Sequence, residues 1–185
     1  LANYIKYSIG KGINVYTPDV NLSTHKFKLY NDGLLMPINS VHSIGSLVAH
    51  KIMKERSNGA FKDFFDFKNR MSSDVNSRML ENLIGADFFA SFNKSHAYLI
   101  QNVGSSFSSY INDEESIDDV VEFDYYKLKE DEYNALGFNL KYDVFQEYNK
   151  CKELYKATNP VDLALNKKVN VIGQIINCNC GVRAT

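Results

Sequence analysis

Apolar residues recur along the chain at two spacings. Recurrence every three to four residues predicts helices at about residues 1–9, 38–44, 46–56, 75–84, 94–101 and 125–156. Alternation predicts short strands at about 13–16, 27–29, 34–36 and 169–176, with Asp32-Gly33 as a hairpin turn between two of them. The pattern therefore predicts a mainly α fold, with a small β-containing segment at the N-terminal end and a helix plus strand at the C-terminal end.

The run that begins at Pro37 holds the most informative spacing. Its apolar positions are followed by Gly45 and a second apolar stripe, which predicts two helices joined by a tight turn. This is the pattern of a helix-hairpin-helix DNA-binding element, with Ser43 where the first glycine is usual. Glycine suits such a turn because positive φ costs it nothing sterically, and the next helix then offers unpaired N–H groups to phosphate. A plain αα-hairpin has the same apolar stripe.

A second hairpin pattern follows about forty residues later, around Gly85 and Ala86. Asp87 stands at its second glycine position, where it tolerates a left-handed backbone but would bring a negative charge near phosphate. Two such hairpins can grip both backbones of a duplex, although a degenerate structural repeat fits as well. Between the hairpins, Phe61, Phe64, Phe65 and Phe67 are too many for base stacking, and we predict that they fill the core.

Composition limits the class of protein. The chain has 185 residues, 44% of them hydrophobic, and its 12 Phe and 12 Tyr supply a real core. Three cysteines give no disulfide framework, the Cys178-x-Cys180 pair is a weak metal signal, and no apolar run reaches the ~18 residues of a membrane span. A cytoplasmic protein is expected. The chain starts without Met, so we expect a piece of something longer.

Charge is segregated along the chain although the net charge is only −1. Residues 1–104 hold 12 Lys and Arg against 8 Asp and Glu, residues 105–150 hold 4 against 12, and residues 151–185 hold 5 against 2. A basic body with an acidic middle suits a protein whose parts meet different partners. A solvated acidic linker is the simpler interpretation of the middle part.

Several ordered motifs together resemble the carboxy-terminal part of the bacterial DNA polymerase III alpha subunit, in its common replicative form. The motifs that carry the resemblance are Lys11-Gly12-Ile13-Asn14-Val15, Pro18-Asp19-Val20-Asn21-x-Ser23, Ile44-Gly45-x-x-x-Ala49, Phe61-Lys62-Asp63-Phe64-Phe65-Asp66-Phe67, Asn76-x-Arg78-x-Leu80-Glu81-x-Leu83-Ile84 and Leu136-Gly137-Phe138-x-Leu140. The chain departs from the family at Ser43, at Asp87 and at Lys141, which opens a segment where the family usually has Ser-Gly-His-Pro.

The resemblance implies a layout. Residues 1–36 would end the fingers region, and 37–104 would form a tandem helix-hairpin-helix domain that holds double-stranded DNA. Residues 105–124 would be an acidic flexible linker, 125–165 a helical connector, and 166–185 the first strand of a truncated OB-fold. The family carries a clamp-binding peptide in this part of the chain, and residues 118–123 are the nearest candidate, without the usual Gln.

The implied function is the non-catalytic, sequence-independent DNA grip of a nucleotidyltransferase active in DNA replication. Nucleotidyl transfer needs clustered carboxylates around two metal ions. The resemblance places those carboxylates and their Mg²⁺ in the palm, upstream of residue 1, so we expect no catalysis and no cofactor here. The expected partners are double-stranded DNA, the sliding clamp and other replisome subunits, and no membrane. The residues expected to contact DNA are His42, Ser43, Ile44, Gly45, Ser46, Lys51, Lys54, Gly85, Ala86 and Lys94.

Two other functions fit the same residues. One is a replisome interaction module that docks a protein through its helices and its acidic segment. The other is a helix-hairpin-helix DNA-repair protein with its own catalysis, which requires a catalytic Lys or Asp just after a hairpin, and Asp87 is the candidate.

Overall fold

The computed structural model describes residues 1–104, 120–142, 149–158 and 165–171. The chain divides into two compact units, Leu1–Tyr142 and Asp143–Thr185. Within its described residues the first unit holds helices α1 Ala2–Gly10, α2 Ser46–Arg56, α3 Phe64–Arg70, α4 Ser77–Gly85, α5 His96–Gln101 and α6 Tyr125–Leu136, with 3-10 turns at Ile38–Ser40 and Ala90–Phe92. The predicted mainly helical fold is confirmed.

A small sheet follows α1. Its strands are β1 Asn14–Tyr16, β2 Lys28–Tyr30 and β3 Gly33–Leu35, in the order β1-β3-β2. Strand β3 is parallel to β1 and antiparallel to β2, with Leu34 opposite Val15 on one side and Leu29 on the other. The predicted hairpin is confirmed, with Asn31 and Asp32 as its turn residues and Gly33 as the first residue of β3.

Side-chain caps set the starts of four helices. A side-chain oxygen accepts a hydrogen bond from the first turn of each, at Asp63 before α3, Asn76 before α4, Ser95 before α5 and Asp124 before α6. Helix α4 therefore begins two residues after the predicted start. Helix α6 ends at Leu136, short of the predicted end, because Gly137 takes φ 79° and closes it.

One core joins the sheet segment, the hairpin region and α6. Ile5 and Val20 share it with Ile38 and Leu136. The phenylalanines fill its centre as predicted, with edge-to-face pairs such as Phe64 with Phe89 at 5.1 Å and Phe67 with Phe89 at 5.0 Å between ring centroids. The sequence-based boundary at residue 36 thus lies inside this unit, and the five-part layout stays a prediction.

The second unit is described in two pieces. Helix α7 covers Asn149–Leu154, and the Thr158 amide donates to the Asn170 carbonyl at 2.8 Å. The described residues 165–171 contain no strand. The remainder of the predicted OB-fold strand, the cysteines at 178 and 180, and the predicted linker up to residue 119 lie outside the described residues.

Candidate nucleic-acid interface

The first hairpin is tighter than its sequence predicts. Its first helix is only the 3-10 turn Ile38–Ser40, since Val41 is extended at φ −78° and ψ 132°. The helix predicted at 38–44 is therefore wrong beyond Ser40. Val41 and Ile44 are buried, whereas Ser43, Gly45 and Ser46 are exposed. The hairpin is thus anchored by two apolar side chains and presents its polar backbone outward.

Ser43, not Gly45, adopts the left-handed conformation in this turn. Ser43 has φ 67°, while Gly45 has φ −77° and ψ 167°, a backbone open to any residue. The prediction that the turn needs Gly45 for positive φ is wrong. A Cβ added at Gly45 would meet nothing within 4 Å. Neither conformation nor internal packing requires glycine there, so the missing side chain leaves open surface above the backbone.

The amides of this hairpin divide into two groups. The Ile44 amide donates to the Val41 carbonyl at 3.1 Å, and the His42 amide donates to the Ala135 carbonyl at 2.7 Å. Within the part of the chain that the structure describes, the amides of Ser43, Gly45 and Ser46 have no hydrogen-bond partner. Gly45 provides no side-chain cap, so α2 begins with N–H groups that point to solvent.

His42 and Ile44, both predicted to contact DNA, have internal roles. The ring Nδ1 of His42 donates to the Asn134 carbonyl at 2.6 Å, near the C-terminal end of α6. Together with its amide, His42 caps two carbonyls of that helix. The Ile44 side chain is buried and its amide is used, and both Nδ1 and the amide of His42 are bound to α6.

Lysines lie along the exposed face of α2. Leu47, Lys51 and Lys54 are spaced i, i+4 and i+7, so they share one face of the helix that begins at the hairpin. Lys51 forms a salt bridge with Asp74, and this contact holds the pKa of the Asp74 carboxyl below its usual value. Lys54 has no ion-pair partner among the described residues. Of the two α2 lysines predicted to contact DNA, only Lys54 has no ion-pair partner in the described part of the chain.

The turn of the second hairpin is buried by other parts of the protein. Gly85 and Ala86 are buried, and the amides of Ala86, Asp87 and Phe88 all donate to backbone carbonyls of α4. A Cβ at Gly85 would stand 2.7 Å from the Asp131 carbonyl oxygen of α6. Helix α6 therefore covers the surface where the sequence placed a phosphate, and Gly85 and Ala86 are left out of the proposal below.

Asp87 does adopt the left-handed conformation, with φ 62°, but its charge is not directed at solvent. The carboxylate contacts His96 Nε2 at 3.0 Å and Lys141 Nζ at 2.8 Å. Burial opposes ionisation, yet the hydrogen bonds from His96 and Lys141 outweigh it and hold the pKa of Asp87 below its ordinary value. These contacts occupy Asp87, the only catalytic candidate of the DNA-repair hypothesis.

The start of α5 is also occupied. Both Glu122 carboxylate oxygens accept backbone hydrogen bonds, from His96 at 2.8 Å and from Ala97 at 3.0 Å. These bonds lower the pKa of Glu122 although its burial acts in the opposite direction. Lys94, another predicted DNA contact, is half-buried and lies over the Tyr98 ring at 5.4 Å.

Asn82, Glu122 and Glu132 each bind backbone groups of another part of the fold, a role that was not predicted from the sequence. The Glu132 carboxylate is 1% exposed and accepts hydrogen bonds from the amides of Leu140, Lys141 and Tyr142. The sequence around Glu132 does not distinguish it from an exposed helix residue such as Glu81. Only the fold shows that Glu81 is exposed and that Glu132 is surrounded by backbone amides.

The described residues contain no cluster of three or more His, Cys, Asp or Glu side chains that could hold a metal ion. His25 and His50 come together as a ring pair at 4.9 Å, with no third ligand described beside them. Among the described helices, none is long and apolar enough to cross a membrane.

Comparison with known proteins agrees with this geometry. Residues 12–99 match the family described as a helix-hairpin-helix motif. The chain is also similar to a short part of DNA polymerase III subunit alpha from several bacteria. It is 28% identical over 90% of its length to that subunit from Borreliella burgdorferi, 29% over 87% to the one from Staphylococcus aureus, and 30% over 84% to the one from Staphylococcus epidermidis.

The chain spans only 17%, 15% and 14% of the length of these three relatives. These relatives belong to the family that the sequence motifs indicated, and the match at residues 12–99 includes both hairpins.

Proposed function

We propose that the exposed amides of Ser43, Gly45 and Ser46 bind the sugar–phosphate backbone of duplex DNA, as the DNA-binding region of a longer replicative polymerase. The observation that carries the proposal is the exposed start of α2, where the amides of Ser43, Gly45 and Ser46 have no partner in the described structure. Backbone N–H groups at a helix start favour phosphate by hydrogen bonding and by the helix dipole.

The open space at Gly45 supports the same proposal. Since a Cβ there would touch no protein atom, glycine is best explained by something outside the chain that must approach the backbone closely. A phosphate group is such a partner. Contacts to phosphate carry no base information, so the hairpin holds DNA without sequence preference, as a polymerase that moves along DNA requires.

We assign the contacts to the amides of Ser43, Gly45 and Ser46 and to Lys54, with Lys51 shared between DNA and Asp74. The second hairpin takes no part. Because only Lys54 and the shared Lys51 neutralise phosphates, log K should fall with log salt at a slope of roughly −1 to −2, so the chain alone binds weakly.

The function of the longer protein is proposed from its relatives. We propose that it is a DNA-directed DNA polymerase whose catalytic carboxylates and Mg²⁺ lie outside this chain, and that it works with a sliding clamp in the bacterial cytoplasm. The region described here then holds the duplex and performs no chemistry.

The test is a salt titration of duplex binding by fluorescence anisotropy, with two duplexes of unrelated sequence. Gly45→Val should weaken binding at least about ten-fold to both, since its side chain blocks the approach of phosphate. Lys54→Ala should reduce the salt slope by about 1. Lys6→Ala, which removes an exposed charge from α1, is the control and should bind like the wild type.

The proposal fails if Gly45→Val binds as well as Lys6→Ala at low salt. A strong preference for one duplex over the other would also contradict it, because backbone contacts cannot distinguish the two sequences.

A further inference from the structure

The left-handed conformation of Ser43 needs an explanation that the turn itself does not supply. At φ 67° a serine is less stable than a glycine, and such a conformation persists only when neighbouring groups hold it. The preceding residue is held by α6, through the bonds from His42 to the carbonyls of Asn134 and Ala135.

Asn82 of α4 holds the turn from another direction. Its Nδ2 donates to the His42 carbonyl at 3.2 Å and to Ser43 Oγ at 2.9 Å. Because a carbonyl oxygen can only accept, the first bond settles which end of the Asn82 amide faces the hairpin. One side chain thus bridges the peptide before the strained residue and the hydroxyl of that residue.

The bond to Ser43 also orients its hydroxyl hydrogen. Since Oγ accepts from Asn82, its own hydrogen must point elsewhere, and in the described part of the chain it has no acceptor. Ser43 is exposed. The hydroxyl is therefore directed outward as a donor, beside the unpaired amides of Gly45 and Ser46.

We propose that Asn82 is a positioning residue of the DNA-binding hairpin: it fixes the left-handed turn at Ser43 and directs the Ser43 hydroxyl toward phosphate. The inference rests on the proposed function. Helix α4, which leads into the second hairpin, then supports the first hairpin and does not itself contact DNA.

The test is a double-mutant cycle on duplex binding in low salt, with Asn82→Ala, Ser43→Gly and both together. Asn82→Ala should weaken binding about five-fold, because the Ser43 turn is then held less firmly. Glycine adopts the same φ without support, so in the Ser43→Gly background the same change should cost less than about two-fold.

Two readouts separate positioning from other roles. The salt slope of Asn82→Ala should stay within about 0.3 of the wild type, since no charged contact is lost. Ser43→Ala should bind less tightly than Ser43→Gly, because alanine keeps the strain and glycine relieves it.

An equal loss from Asn82→Ala in both backgrounds overturns the inference, and so does wild-type affinity for Asn82→Ala. If Gly45→Val weakens binding and Asn82→Ala does not, only this inference fails. If neither variant changes binding, the proposed function itself fails.

Discussion

Gly85 and Asp131 are in such close contact that a single added carbon would force them apart. The Cβ of any other residue at position 85 would lie 2.7 Å from the Asp131 carbonyl oxygen and 3.3 Å from the Ala135 Cβ. The glycine that the sequence suggested as a DNA contact therefore allows α4 and α6 to pack backbone to backbone.

Gly85→Ala should destabilise the protein by about 1–3 kcal/mol, since overpacking of this contact exceeds the gain in helix propensity. Urea denaturation measures the change. The matched control is Gly45→Ala, where the added methyl meets nothing, and the free energy of unfolding should change by less than about 1 kcal/mol. Equal destabilisation of the two variants would show that α6 does not restrict position 85.

Asp74→Asn should strengthen duplex binding about two- to three-fold, because it releases Lys51 on the exposed face of α2 to interact with phosphate. Folding stability should change little, since exposed salt bridges contribute about 0–1 kcal/mol. Asp32→Asn removes the same charge near the sheet, where the carboxylate accepts hydrogen bonds from Tyr16 and Asn14 and, among the residues that the structure describes, pairs with no lysine. If both variants gain the same affinity for duplex DNA, the loss of one negative charge explains the effect and the release of Lys51 does not.

Local pattern was sufficient for most of the fold. The apolar spacing located α2, α4 and the start of α6 within a few residues, and the turn signal at Asp32-Gly33 located the β2–β3 hairpin. The apolar spacing and the turn signal both depend only on residues that are close together in the sequence. The motifs also identified the first hairpin, whose open amides follow from a short turn before a helix.

Contacts between distant residues determined what the pattern missed. Glu122, near the end of the acidic segment, reaches back to the start of α5, and Asn82 reaches the first hairpin from forty residues away. No periodicity encodes such pairs. The two hairpins look alike in sequence but differ in the structure for the same reason. Helix α6 packs against Gly85 of the second hairpin and leaves the surface at Gly45 of the first hairpin open.

Asp87 and Lys141, two departures from the family's sequence pattern, form an ion pair with each other. Because the folded pKa of Asp87 lies below its unfolded value of about 3.9, its ionised form stabilises the protein above that pH, and the stabilisation is lost as the pH falls through the folded pKa.

Asp87→Asn should therefore destabilise the protein by about 1–2 kcal/mol at pH 7 and flatten the loss of stability below about pH 4. Denaturation at a series of pH values measures both effects. Wild-type and variant curves that stay parallel through the acid range would show that Asp87 has no lowered pKa in the folded state.

Glu132 is the buried charge on which the segment after α6 depends. Its carboxylate accepts from the amides of Leu140 at 3.0 Å, Lys141 at 2.7 Å and Tyr142 at 3.2 Å, so three N–H donors converge on one side chain. Glu132→Gln keeps the shape but replaces one acceptor oxygen with an NH₂ group that faces these donors. We expect a loss of about 2–3 kcal/mol in the free energy of unfolding.

Hydrogen exchange adds a local readout for this variant. The amides of residues 140–142 should lose protection in Glu132→Gln more than those of α2, because their acceptor is the altered group. Glu130→Gln, on the exposed side of α6, is the matched control and should stay within about 0.5 kcal/mol of the wild type. If the two variants are equally stable, the amides at 140–142 do not depend on a carboxylate, and the link from this segment through Lys141 to Asp87 must be held by other contacts.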